Sequence, residues 1–228
     1  MRMFISKLQI ATILVLLGIT YSVPAALAST ISVGIGAFGP GSTLTTFTGL
    51  PSGAEVNGLT VDGIQFAYSL GNGQVVIDAG PGTTNNVAPQ NIVSVGNNTG
   101  VLTLTLPSFV DTFGYGYAVL NTVPIANATS IFLFSGATQV GSLAYNGVPD
   151  PIFSGGFAGI QSTIPFNSVR LTFNAAAAPA FAVDNIRTGI STPEPPAVLL
   201  MGIGLGTLLI YYRKRSRSCM GSGGSDLQ

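Results

Sequence analysis

The chain is dominated by short stretches rich in Val, Ile, Thr and aromatic residues, each cut off after a few positions by Gly, Pro or Asn. Ten such stretches run Leu59–Tyr68, Gln74–Asp78, Asn91–Val95, Val101–Leu106, Thr112–Val119, Ser130–Phe134, Thr138–Leu143, Phe157–Ile160, Ser168–Phe173 and Phe181–Arg187. In Val101–Leu106 the leucines alternate with Val101, Thr103 and Thr105. That period-two pattern belongs to a strand with one face buried. Ala175–Ala178 before Pro179 is too short to nucleate a helix and reads as a connection to the last strand. Closely spaced strands without a helical period predict an all-β fold, an antiparallel sandwich or barrel. Asp78–Asn91 and Val148–Gly156 concentrate turn formers and are predicted as long loops, either binding loops or plain connections.

Both ends of the chain carry targeting patterns. Arg2 and Lys7 precede an apolar run from Leu8 to Ile19, and Ala26-Leu27-Ala28 comes just before Ser29. This is the three-region pattern of a signal peptide over residues 1–28, cut after Ala28. Near the other end, residues 197–212 carry no charge. As a helix they reach about 24 Å, short of an apolar membrane core of about 30 Å unless the flanks help. Tyr211 and Tyr212 supply an interfacial belt, and Arg213, Lys214, Arg215 and Arg217 form a cytoplasmic stop under the positive-inside rule. The expected layout is therefore a signal peptide (1–28), a β-sandwich body (29–190), a sorting segment (191–217) with a transmembrane helix at 197–212, and a cytoplasmic tail (218–228).

Pro193-Glu194-Pro195, a short glycine-containing apolar segment and an Arg-rich end together resemble the PEP-CTERM sorting signal of Gram-negative bacteria. The resemblance implies use of the Sec translocon and signal peptidase, passage through the inner membrane, and removal of the anchor by an exosortase. Delivery to the cell surface or the exopolysaccharide matrix would follow. Phe181-Ala182-Val183-Asp184-Asn185-Ile186, shortly before that signal, is similar to the last strand of many PEP-CTERM bodies. This second likeness implies a jelly-roll-like sandwich similar to carbohydrate-binding modules.

Net charge is zero over the whole chain but not within its parts. The body holds Glu55, Asp62, Asp78, Asp111, Asp150 and Asp184 against Arg170 and Arg187, a balance of minus four. Two cations cannot neutralise a run of phosphates, which excludes a nucleic-acid partner. There is no histidine, and the single cysteine, Cys219, lies in the tail. Body disulfides, Ser-His-Asp or Cys-His catalysis and His-based metal sites are excluded with them. What remains is carboxylate chemistry, and a glycan hydrolase would need two acids about 5 to 10 Å apart across a cleft. No local motif marks such a pair.

Asp184 is the sharpest candidate in the body. The resemblance implies that an Asp so placed can ligate a structural calcium, although where the similar N-terminal segments often carry an acid this chain has Thr48. No cofactor is otherwise implied. Asp184 capping a turn, or pairing with Arg170 or Arg187, stays open beside calcium. Tyr115 and Tyr117 share strand parity and are candidates for stacking on sugar, or for packing across strands. The expected function is that of an exported, surface-sorted, non-catalytic protein with a structural or adhesive role in the exopolysaccharide matrix of a biofilm, binding carbohydrate weakly. An extracellular carboxylate-dependent glycan hydrolase is the alternative.

Overall fold

The computed structural model describes residues 29–95 and 98–190. The signal peptide, the Pro193-Glu194-Pro195 signal, residues 197–212 and the basic stop all lie outside the described residues. Eleven strands follow in order: β1 Thr30–Ser32, β2 Thr43–Thr45, β3 Thr60–Val61, β4 Ile64–Tyr68, β5 Val75–Asp78, β6 Asn91–Ser94, β7 Leu102–Val119, β8 Ile125–Ser135, β9 Thr138–Asp150, β10 Phe153–Phe173 and β11 Phe181–Gly189. A 3-10 turn, Ile35–Ala37, is the only helical element among the described residues. No helix among them is long and apolar enough to cross a membrane. Every pairing is antiparallel, in the order β5-β6-β11-β7-β10-β8-β9, and the all-β sandwich expected from the strand pattern is what the chain forms.

Two long strands belong to both layers. The first part of β7 pairs with β4 and with the end of β10, while its second part pairs with β11 and the start of β10. The change comes around Pro107, where the register of β10 against β7 shifts between Gln161 and Ser168. Proline has no N–H to give a ladder, so the strand bends there without ending. Sequence reading breaks β7 at this point and breaks β10 at Pro165; the structure joins each pair of segments into one strand. A second correction concerns Val148–Gly156. Val148–Asp150 pairs with Phe153–Gly155, and only a tight turn at Pro151 and Ile152 remains of the expected loop. The other expected loop, between Asp78 and Asn91, is present.

The core lies between the layers and is built from alternate residues of each strand. Phe66, Leu104, Val169 and Leu133 point in from one layer, and Ile77, Ile92, Val183 and Tyr117 from the other; all eight are buried. Phe181 of one layer stacks on Phe173 of the other, with ring centroids 3.8 Å apart, and also meets Tyr68 at 6.2 Å. Large rings in contact across the gap bury much area each and restrict how the layers can slide.

On β7 the large inward residues Phe113, Tyr115 and Tyr117 alternate with Gly114, Gly116 and Ala118 on the outer side. A Cβ at Gly116 would overlap the Asn86 carbonyl, and one at Gly114 would strike the Phe157 and Phe38 rings. Glycine here lets backbone segments lie flat on the outer sheet surface. Gly116→Ala is therefore expected to destabilise the protein by about 3 kcal/mol, the upper end for an overpacked site, lowering Tm by about 6–12 °C at this size. Gly39→Ala, with open space around it, should change stability by less than about 0.5 kcal/mol. Thermal unfolding of both variants checks the contrast, and equal Tm values would contradict it.

Candidate functional site

The loop between β5 and β6 folds back over the glycine side of β7. The Thr84 hydroxyl donates to the Asp150 carbonyl at 2.6 Å, and the Asn85 N–H donates to Asp150 Oδ2 at 2.8 Å. Asn185 Nδ2 donates to the Asn86 carbonyl at 2.8 Å, and the Ala88 N–H donates to Asp184 Oδ2 at 3.0 Å. Asn85 and Asn185 adopt positive φ, 53° and 50°, which asparagine tolerates better than most residues. Beside this clamp lies an apolar groove of about 350 Å³ with Gly80, Pro81, Val93, Ala118, Phe153 and Ala182 in its walls.

Asp184 is only 2% exposed. Its Oδ1 has no hydrogen-bond partner, and neither do the buried Asn91 Oδ1 and Gln90 Oε1. Burial pushes its carboxyl up to about 6, against the partial opposition of backbone N–H donors at Asn185 and Ala88. Of the roles left open by sequence, the structure realises hydrogen bonding to backbone N–H groups, here those of a distant loop. Arg170 lies instead over the Phe134 ring, 4.2 Å from its centroid.

A calcium ion takes six to eight oxygens, carboxylates prominent among them. Among the described residues no three acidic, His or Cys side chains come together, and Thr48 is an exposed neutral hydroxyl. One desolvated carboxylate supplies too little charge, so the residues present do not fit a calcium cage.

Tyr115 and Tyr117 require a correction. They are 0% and 1% exposed, with ring centroids 5.9 Å apart. Their parity points them both into the core and not toward solvent. The Tyr115 hydroxyl bonds Thr129, and the Tyr117 hydroxyl donates to the Asn146 carbonyl at 2.7 Å. Burial raises both phenols, Tyr117 to about 12. Neither ring has a face left for a sugar.

Two of the other acids hold loops as well. Glu55 accepts the Gly73 N–H with both oxygens, at 3.0 and 2.9 Å, and Asp78 accepts from the Ser52 hydroxyl and the Ala79 N–H.

Sequence reasoning missed the open outer face of the second layer. Register aligns Gln65, Thr105, Ser168, Phe134 and Gln139 in one row and Ala67, Thr103, Arg170, Phe132 and Ser142 in the next. All ten are exposed or half-buried, while their strand neighbours Phe66, Leu104, Val169 and Leu133 are buried. Five strands make a platform about 19 Å wide with two phenyl rings, hydroxyls and amides on it. The signal was available: Phe132 and Phe134 alternate with Ile131 and Leu133. Four large apolar residues in a row, however, hide which pair faces water.

No family model and no curated protein matches the chain. Among solved structures it is similar to the K2 cleaved adhesin domain of Lys-gingipain, with a TM-score of 0.47, 14% identity, and 67% of this chain and 99% of that one covered. It is also similar to the CBM22-1 xylan-binding domain from Paenibacillus barcinonensis Xyn10C, with a TM-score of 0.40, 12% identity, and 66% and 94% covered. A third likeness is to the catalytic domain of a GH87 alpha-1,3-glucanase, with a TM-score of 0.34, 9% identity, and 73% and 28% covered.

The buried Asp184 carboxyl makes stability depend on pH. Its folded-state value of about 6 lies above its ordinary 3.8, so folding favours the protonated form. That contribution is complete below pH 3.8 and is lost as pH rises through about 6. Asp184→Asn keeps an acceptor for the Ala88 N–H without a charge. Its Tm is expected to rise relative to the native protein between pH 4 and 6.5 and to hold a constant lead above that. A Tm difference that does not change with pH would overturn this account.

Proposed function

We propose that this is an exported, non-catalytic, jelly-roll-like sandwich with a structural or adhesive role in an extracellular polysaccharide matrix. The observation that carries the reading is the open platform on the second layer. Half-buried phenyl faces, hydroxyls and amides on a firm sheet suit the apolar faces and hydroxyls of sugar rings. The hydrolase alternative needs two carboxylates sharing a cleft. Glu55, Asp78, Asp150 and Asp184 each accept backbone N–H groups of a loop instead, and no acid lies in the two platform rows.

Delivery follows from the targeting segments. In this reading the Sec translocon exports the chain and signal peptidase cuts between Ala28 and Ser29. Residues 197–212 hold it in the inner membrane with Arg213, Lys214, Arg215 and Arg217 in the cytoplasm. An exosortase then acts at Pro193-Glu194-Pro195 and passes the body to the cell surface. In a host with its exosortase, Glu194→Ala is expected to leave the anchored form in the inner-membrane fraction and to deplete the cleaved form. Immunoblots of fractionated cells read this directly, and unchanged processing would refute the sorting proposal.

A further inference from the structure

Arg170 is the only charged side chain in the two platform rows, and it sits there in a body whose balance is minus four. Its guanidinium centre lies 4.2 Å from the Phe134 ring centroid. Thr103 and Phe132 are its cross-strand partners, and Ser168 and Thr172 share its face two residues either way along β10. Among the described residues no carboxylate pairs with it, and the side chain is exposed, so its five N–H donors are open to solvent. A cation–π contact of this kind is worth about 0.5–1 kcal/mol at an exposed site. It also fixes a long side chain before any ligand arrives, which lowers the ordering cost of binding.

We infer that the platform recognises an acidic polysaccharide, with Arg170 taking a sugar-borne carboxylate in a two-pronged hydrogen bond. The inference rests on the polysaccharide reading above and names the class of glycan. Charge complementarity selects this occupant. A carboxylate landing on this face meets one unpaired arginine and no acid, whereas elsewhere the body's negative charge repels it. The planar guanidinium matches a carboxylate better than a lysine ammonium would. Ser168, Thr103 and Thr172 stand ready for neighbouring hydroxyls, and Phe132 offers the adjacent apolar surface. With a single cation against a net negative body, binding is weak, falls with salt, and favours glycans whose carboxylates are sparse.

The test is native affinity electrophoresis of the full chain in neutral detergent, in gels containing carboxymethyl-cellulose or the uncharged hydroxyethyl-cellulose. Mobilities are normalised to glycan-free gels, so the charge change of a variant cancels. Carboxymethyl-cellulose is expected to retard the native protein more strongly than hydroxyethyl-cellulose, and 0.5 M salt to abolish the difference. Arg170→Gln should weaken carboxymethyl-cellulose binding about tenfold, as loss of a charge-assisted pair implies. Arg170→Lys should fall between the two, and Phe134→Leu should cost several-fold by freeing the arginine. If Arg170→Gln does not fold, Phe134→Leu decides. Equal retardation by the two celluloses, or no loss in the Arg170→Gln and Phe134→Leu variants, overturns the inference while leaving polysaccharide binding in place. No retardation by either cellulose overturns both.

Discussion

The alternation of large rings with glycine along the second half of β7 governs the arrangement around it. Phe113, Tyr115 and Tyr117 fill the space between the layers, and Gly114, Gly116 and Ala118 leave the opposite side nearly flat. A strand that presents bulk on one side and bare backbone on the other can be covered closely on both. That is why β7 is buried on both faces from Thr112 to Val119, whereas its first half alternates between buried and accessible positions. The same strand is thus a half-exposed member of one layer and a central member of the other.

Covering the glycine side brings a long polar loop against the sheet, and its backbone donors then need acceptors. Asp150 and Asp184 provide them at Asn85 and Ala88. Asp184 takes this role deep under the loop, and desolvation raises its proton affinity. A carboxylate used this way gains local order for the loop at the expense of stability near neutral pH. Calcium coordination at Asp184 fails for a physical reason: no further acids gather beside it, and its charge is spent locally, on backbone.

Much of the fold was legible because period-two alternation is a direct consequence of burying one face of a sheet. Val101–Leu106 reads correctly as a half-buried strand, and the turn-rich segment from Asp78 to Asn91 reads correctly as a loop. Pro107 and Pro165 misled, since proline signals an end to a strand but here coincides with a bend that carries the chain between layers. Tyr115 and Tyr117 misled in another way. Parity showed that they share a side, but parity cannot say which side is the core. That depends on Gly114 and Gly116 and on what covers them. Conversely, Phe132 and Phe134 sit in an unbroken apolar run, and only pairing with Arg170 and Ser168 reveals that they face outward.

The two faces of the sandwich have consequently diverged. On one, the loop clamp and the small residues leave an apolar groove and bury the Asp184 carboxyl. On the other, nothing among the described residues covers the two rows of Gln, Thr, Ser, Phe and Arg side chains, although hydrophobic burial could have been extended there. A face that keeps two phenyl rings half-exposed forgoes part of the stabilisation their burial would give, up to about 1.5–3 kcal/mol for a ring moved from full exposure to full burial. Arg170 recovers only a little of it through Phe134. The remaining surface is apolar enough to contact a sugar ring and polar enough to stay hydrated, and its one charge is positive. Those properties suit the reversible contact with a hydrated polymer that the proposed function requires.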